Sequence, residues 1–353
     1  MNSLTVALAS LGGIVLAGVV AHGAWQARRA GPKRASPAVR EEPSASAPHD
    51  SADSPIGDGN DDDAATDGVA APARRISKRL PLQLDALIDA CATITVDAPV
   101  AGDVVLAHLP SKRHVGSKLV IVEGLDSEVG AWEAPAAGRR YGELQAGVQL
   151  ASRTGALNEI EYSEFVQRMQ TFAEAIGASM DPPDMLDVMA RARELDAFAS
   201  QHDAQLAVHL HARGAAWSVG YIQQHARRHG FVPGVVPGRL VYPSTEEGAP
   251  PVLTLTYDSQ AALADEPDRA AVRDVTLSFD VPQTDAAVEP FKAWQAAAQA
   301  LAVGMDAAIV DDDDRPLSTP GFDAIGAELG ALYTALEARG LAAGSPAARR
   351  LFS

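Results

Sequence analysis

The side chains in this sequence that are able to take part in chemistry are few, and two pairs of histidines stand out. His225 and His229 are four residues apart on a predicted helix and share one face, as metal ligands can. His209 and His211 likewise share one face of a predicted strand. Ala226 stands where a zinc protease of the HExxH type needs a glutamate, and no third ligand is evident. We therefore expect solvated surface histidines and no metal site.

The acidic and cysteine side chains do not indicate a catalytic or metal-binding site either. The acidic run of residues 311–314 lacks the ligand spacing of a calcium loop, so we expect a solvated turn there. Cys91 is the only cysteine, which excludes an intrachain disulfide framework and every multi-cysteine metal site, and it has no base nearby in the sequence. Phosphate-loop, dinucleotide-binding and hydrolase-elbow motifs are absent from the sequence. We therefore expect no cofactor and no enzyme activity.

The composition and net charge of the chain limit the classes of protein to which it is able to belong. A chain of 353 residues with 47% apolar side chains is able to build two or three packed domains. The formal net charge of −17 argues against a sequence-independent nucleic-acid binder, which needs a basic face for the phosphates.

Residues 4–25 contain no charged side chain and consist mostly of apolar residues and glycine. As a helix they extend about 33 Å, enough to cross the hydrocarbon core of a membrane. We expect residues 1–26 to be an uncleaved anchor and not a signal peptide, because positive charge follows the apolar run, at Arg28 and Arg29, and does not precede it. The positive-inside rule then places the N-terminus outside and the rest of the chain in the cytoplasm.

The anchor side chains that we single out are Leu4, Ile14, Leu16, His22 and Trp25. Small residues at positions 9, 13, 17 and 21 form a stripe that is able to pair helices, so self-association through the anchor is one expectation. The alternative is that these small residues only reflect the usual composition of a membrane helix.

Residues 27–80 are rich in Ala, Pro, Ser and Asp and have almost no large apolar side chain. Such a segment cannot bury enough surface to offset the entropy of ordering, so we expect a disordered linker. Its coil span of about 40 Å would keep the folded part near the membrane.

Two related halves follow the linker. Leu84-Asp85-Ala86 precedes a predicted strand in the first half, and Leu195-Asp196-Ala197 precedes one in the second. Each half then shows a helix-like stretch, strands (118–123 in the first half corresponding to 239–242 in the second) and a long amphipathic helix. We interpret this pattern as a tandem duplication, with units at residues 81–180 and 181–343 and a frayed tail at 344–353. Chance similarity is the alternative.

The strands of the second half alternate between apolar and polar residues, as in Leu206, Val208 and Leu210. This alternation is typical of a sheet with one face on helices and the other face open. The expected fold class is α+β: an N-terminal transmembrane helix, a disordered linker, and two tandem two-layer sandwiches of helices on an antiparallel sheet. Exposed sheet faces and edges are where extended peptides dock.

Several segments of the chain are similar to one known family. Residues 20–25 have the pattern His-Gly-x-Trp with basic residues after it, and they resemble the membrane anchor of the ZipA family of FtsZ-interacting cell division proteins. Residues 275–282, Phe291 and residues 310–312 are similar to its last strand, helix and strand, and Gln223 and Gln224 match its first helix. The resemblance covers the anchor, the style of the linker and about residues 204–340. The first half joins it only through the internal repeat.

Proteins of the ZipA family are not enzymes. The resemblance implies a protein of the bacterial inner membrane that tethers the FtsZ ring at the division site and binds the C-terminal tail of FtsZ on an open sheet face. The partner-binding positions that it implies here are Gln205, Ala207, Thr254, Thr256, Asp258, Thr276 and Ser278.

The implied floor departs from the family pattern, in which this groove is apolar. A floor of Thr, Ser and Asp buries little apolar area, and the face of the first half, with Cys91, Thr93 and Thr95, is no more apolar. A membrane-tethered cytoplasmic scaffold or sensor with a different protein partner therefore remains the alternative.

Overall fold

The computed structural model describes residues 83–353 apart from 265, 267 and 268. This part of the chain is a mixed α/β fold with antiparallel sheets. The expected anchor (1–26) and linker (27–80) lie outside the described residues. Within the described part, no helix has the length and apolar character needed to cross a membrane.

The first sheet has the strand order β2-β3-β5-β1-β8, with β4 paired to β3. Its strands are β1 (Asp89–Ala101), β2 (His114–Val115), β3 (Lys118–Asp126), β4 (Trp132–Glu133), β5 (Arg140–Gln149) and β8 (Ala178–Asp181). A separate two-stranded hairpin consists of β6 (Ala151–Ser152) and β7 (Gly155–Ala156).

The second sheet has the strand order β10-β11-β12-β13-β9-β14. Its strands are β9 (Gln205–Ala212), β10 (Val232–Pro233), β11 (Arg239–Tyr242), β12 (Leu253–Thr256), β13 (Asp274–Asp280) and β14 (Ala307–Val310). The helices of the described chain are α1 (Gly102–His108), α2 (Glu159–Ala175), α3 (Met185–His202), α4 (Val219–Arg228), α5 (Ser259–Ala262), α6 (Pro290–Met305), α7 (Thr319–Ala338) and α8 (Pro346–Leu351), with a 3-10 turn at Ala286–Val288.

The two sheets repeat one topology. In chain order, β1-α1-β3-β5-α2-β8 corresponds to β9-α4-β12-β13-α6-β14, and the strand orders β3-β5-β1-β8 and β12-β13-β9-β14 are the same. Each set is a split β-α-β arrangement, because an antiparallel strand separates the first two strands of the set. By this criterion the strand that corresponds to β3 is β12. The sequence-based correspondence of residues 118–123 with 239–242 is therefore wrong by one strand, because residues 239–242 form β11.

The first core lies between one face of the first sheet and the apolar face of α2. Ala90, Ala92 and Ile94 of β1 point into it, as period-2 alternation requires. Phe165 and Phe172 of α2 are buried there, about two turns apart on one face of the helix. The helix begins with a capping box in which Asn158 and Glu161 exchange hydrogen bonds, so its first turn is satisfied locally.

The second core centres on Trp294 of α6, which is 1% exposed. Its ring packs edge-on against Phe279 and Phe322, and its indole N–H donates to the carbonyl of Leu277 at 2.9 Å. The amphipathic face expected for this helix is confirmed: Trp294, Ala298, Leu301 and Met305 are buried and Phe291 packs beside them.

Two boundaries drawn from the sequence are wrong. The proposed second unit began at residue 181, yet the buried side chains of α3, such as Val188 and Leu195, belong to the first core. The expected frayed tail at 344–353 instead forms α8, and Leu351 and Phe352 are fully buried in the first core. The error has a physical cause: a short apolar terminal segment gives no local sign of which distant core it enters.

Candidate functional site

The open face of the second sheet is organised in two rows of side chains that run across the strands. One row aligns Thr254, Ser278 and Ala207, since Thr254 is the register partner of Ser278 and Ser278 is that of Ala207. The next row aligns Thr256, Thr276 and His209 in the same way. Their neighbours in sequence, such as Leu255 and Leu277, point into the core, so the rows face away from it.

Six of the seven positions implied by the resemblance therefore lie on one face. Gln205 is exposed and pairs with Asp280, while Ser278, at 9% exposure, is the most covered of the six. Asp258 is the exception. It lies beyond the end of β12 and caps α5, where its carboxylate accepts a hydrogen bond from the amide of Gln260 at 2.8 Å. The strand ends at Thr256, so alternation does not extend to Asp258.

One end of this face is bordered by the first half of the molecule. Arg153, in the β6–β7 hairpin, lies 2.6 Å from Oδ1 of Asp203 and 2.7 Å from Oδ2 of Asp280. Burial raises the pKa of Asp280 above its ordinary value, and the Arg153 charge opposes that shift. No local pattern in the sequence points to this arrangement, because Arg153 and Asp280 lie far apart in the chain.

The opposite end carries a cluster of histidine and aspartate. Nε2 of His209 lies 2.9 Å from Oδ1 of Asp312, and its Nδ1 lies 3.0 Å from Oγ1 of Thr276. Nε2 of His211 lies 3.4 Å from Oδ1 of Asp274. The hydrogen bond to Asp312 raises the pKa of His209, and burial opposes it.

These histidines do not form a metal centre in the part of the chain that the structure describes, where no group of three or more His, Cys, Asp or Glu side chains is arranged to hold an ion. The two residues of the other histidine pair, His225 and His229, have different surroundings. The ring of His225 is tilted by 44° against that of Tyr221 at a centroid distance of 4.4 Å, and burial lowers the pKa of His225. His229 follows the end of α4 as its C-cap.

An apolar edge adjoins the polar rows and was missed in the sequence. Val241 extends the Thr254 row onto β11, and Val232, on the outermost strand, pairs with Val241. The loop between these two strands holds Val235, whose side chain is fully exposed, and Val236. The sequence contains a signal for this edge, because valines in a turn rich in Gly and Pro are unusual and such turns are usually polar.

The face of the first sheet differs from that of the second. Cys91, Thr93 and Thr95 lie on it as expected, paired with Gly147, Gln145 and Glu143 on β5. Thr93 and Thr95 are exposed, whereas Cys91 is partly covered.

No protein-family model matches the chain, and a search of curated proteins returns no significant match.

Proposed function

We propose that this chain is a membrane-anchored cell division adaptor of the ZipA type. In this proposal residues 1–26 hold it in the bacterial inner membrane, and the folded units stand in the cytoplasm at the division site. The open face of the second sheet binds the C-terminal tail of FtsZ and so tethers the ring to the membrane. The proposal rests on the sequence resemblance together with one structural observation, the gathering of Thr254, Ser278, Ala207, Thr256 and Thr276 in two adjacent rows on one face.

The two split β-α-β sets support the further proposal of a tandem duplication, because both have the same order of strands and helices within one chain. The second set carries the partner site in this scheme. Beyond this set, β10 and β11 place Val232 and Val241 beside the polar rows.

The composition of the face sets the expected strength of binding. Each large apolar side chain that is replaced by Thr or Ser gives up roughly 1.5–3 kcal/mol of burial. A peptide seated on Thr254, Thr256 and Thr276 must therefore draw on the valine edge and on backbone hydrogen bonds. We expect modest, micromolar affinity.

Titrating a labelled FtsZ C-terminal tail peptide with the detergent-solubilised full-length chain tests the proposal by fluorescence anisotropy. We expect saturable binding that a scrambled peptide does not show. Thr256→Lys, at the centre of the face, is expected to weaken binding about tenfold or more, because a long cation blocks the row. Thr171→Lys, at an exposed position of α2, is the matched control and is expected to bind as the parent does.

The polar floor also favours a second candidate, a membrane-tethered scaffold or sensor with a different protein partner. Absence of saturable binding at high protein concentration would exclude the tail-binding mechanism and leave this candidate in its place.

A further inference from the structure

The open face of the first sheet holds a hollow at Gly147. This glycine lies between Cys91 on β1 and Ile121 on β3, its register partners. A Cβ atom built on Gly147 would come within 2.2 Å of Cδ2 of Leu84, so the leucine lies directly on the glycine. The start of the described chain is therefore packed on this face.

One peptide unit shows the direction in which the chain crosses the sheet. The carbonyl oxygen of Gln83 accepts a hydrogen bond from Arg350 at 3.0 Å, and the amide of Leu84 donates to Oε1 of Glu123 at 3.0 Å. Arg350 stands at the end of β1 marked by Asp89, whereas Glu123 stands further along the strands. A trans peptide points these two groups in opposite directions, so the chain itself runs across the strands.

The side chains next to Leu84 on this face are buried, although they belong to neither of the two hydrophobic cores of the described chain. Ile121 is 7% exposed and Glu123 is 3% exposed, yet both point away from the core that contains their neighbour Val120. The carboxylate of Glu123 accepts hydrogen bonds from the amide of Leu84 and from Nε2 of Gln145. Ile121 is therefore the apolar position that continues this face beyond Leu84.

The residues that precede Gln83 are suited to an apolar position on this face. Leu80-Pro81-Leu82 is an uninterrupted apolar run that leads directly into Gln83 and Leu84. Proline holds the residue before it in an extended conformation, and in an extended chain Leu80, Leu82 and Leu84 point to the same side. Leu82 is then about 7 Å behind Leu84, which is enough to pass the spacing of about 4.8 Å to the next strand.

We propose that residues 79–82 dock in cis on the open face of the first sheet, with the Leu82 side chain over Ile121 on β3. The segment continues the path that Leu84 begins across β5. The occupant is thus this chain's own segment and not a second protein. One consequence rests on the proposed function: an occupied first face leaves the second sheet as the site for the FtsZ tail.

Disulfide trapping in the full-length chain tests the docking. In a Cys91→Ala background, Leu82→Cys is combined with Ile121→Cys or, as the matched control, with Thr93→Cys on the same face. Thr93 pairs with Gln145, two residues from Gly147, so it lies within reach of a loose segment. Thr93 is also exposed whereas Ile121 is buried, so a loose segment would react faster with position 93. We expect an intramolecular disulfide between 82 and 121 under mild oxidation and little between 82 and 93. Equal trapping, or preferential trapping at 93, would overturn the proposal.

A second measurement does not depend on forming a disulfide. The single cysteine of Cys91→Ala/Ile121→Cys is labelled with a maleimide, with and without Leu82→Asp. We expect the charged side chain to release the segment and raise the labelling rate about tenfold, because reactivity follows thiol access. An unchanged rate would contradict the docking. Both measurements are independent of FtsZ, so their failure would not affect the tail-binding proposal.

Discussion

Arg350, near the C-terminus, makes two hydrogen bonds to the carboxylate of Asp89, the first residue of β1. The distances are 2.9 Å from Nη1 to Oδ2 and 2.5 Å from Nη2 to Oδ1. Asp89 is 1% exposed, so the pair lies out of water. A side chain of the last helix therefore fixes the point where the first sheet begins, 261 positions earlier in the chain.

The buried pair leads to the first prediction. We expect Arg350→Met to lower the free energy of unfolding by about 3–5 kcal/mol, because the substitution leaves the Asp89 carboxylate buried without its cation. Chemical denaturation measures the change. Arg339→Met is the matched control: it removes an exposed ion pair with Glu194, and its cost is expected to stay below about 1 kcal/mol. Similar small losses in both variants would contradict the role assigned to Arg350.

The last aromatic residue gives the second prediction. Phe352 is fully buried in the first core, so Phe352→Ala is expected to cost about 3–5 kcal/mol. Hydrogen exchange should show faster opening of β1 amides than of β9 amides, because the cavity forms in the first core only. Val303→Ala, at a side chain that is 87% exposed, serves as the control with little expected effect. Equal acceleration in both sheets would show that the two cores unfold as one unit.

The third prediction concerns the only cysteine. Burial, followed by the negative charge of Asp89, raises the pKa of Cys91 to about 11. The reference value for this thiol is 9.0, so at about pH 8 the native thiolate fraction is lower by roughly a hundredfold. The higher nucleophilicity of a thiolate with a raised pKa offsets part of this loss. We expect the reaction with a disulfide reagent to be slower in the native chain than in the urea-unfolded chain by about tenfold or more. Comparable rates would mean that the thiol is neither buried nor perturbed.

The fourth prediction concerns pH. The hydrogen bond to Asp312 raises the pKa of His209 in the folded state above its value in the unfolded chain. A raised pKa stabilises the fold fully below the unfolded value, and this stabilisation is lost as the pH rises through the folded value. The stability difference between the parent and His209→Gln should therefore be larger at about pH 5.5 than at about pH 8.

The control for this titration is His108→Gln, since His108 is exposed on α1 and its Nδ1 lies near the carbonyl of Val104. Chemical denaturation at both pH values gives the two differences. A His209→Gln effect that grows with pH would contradict the sign derived from the Asp312 contact.

Local patterns were sufficient for many elements. The alternation of Leu206, Val208 and Leu210 predicted β9, and the stripe through Trp294 and Leu301 predicted α6, because period-2 and period-3.6 burial are properties of short segments. Asp258 shows the limit of such patterns. Alternation alone continued the strand to it, whereas the chain turns after Thr256 and uses the aspartate as a helix cap.

The sequence by itself determined that the described chain combines helices with antiparallel sheets and that it lacks recognisable catalytic motifs, since these follow from residue types and local spacing. Only the tertiary structure decided that α3 and α8 belong to the first core, that Arg350 meets Asp89, and that Arg153 borders the second face. These contacts join residues that are far apart in the chain. Their choice depends on shape, burial and charge pairing in the folded molecule, which no local window of sequence contains.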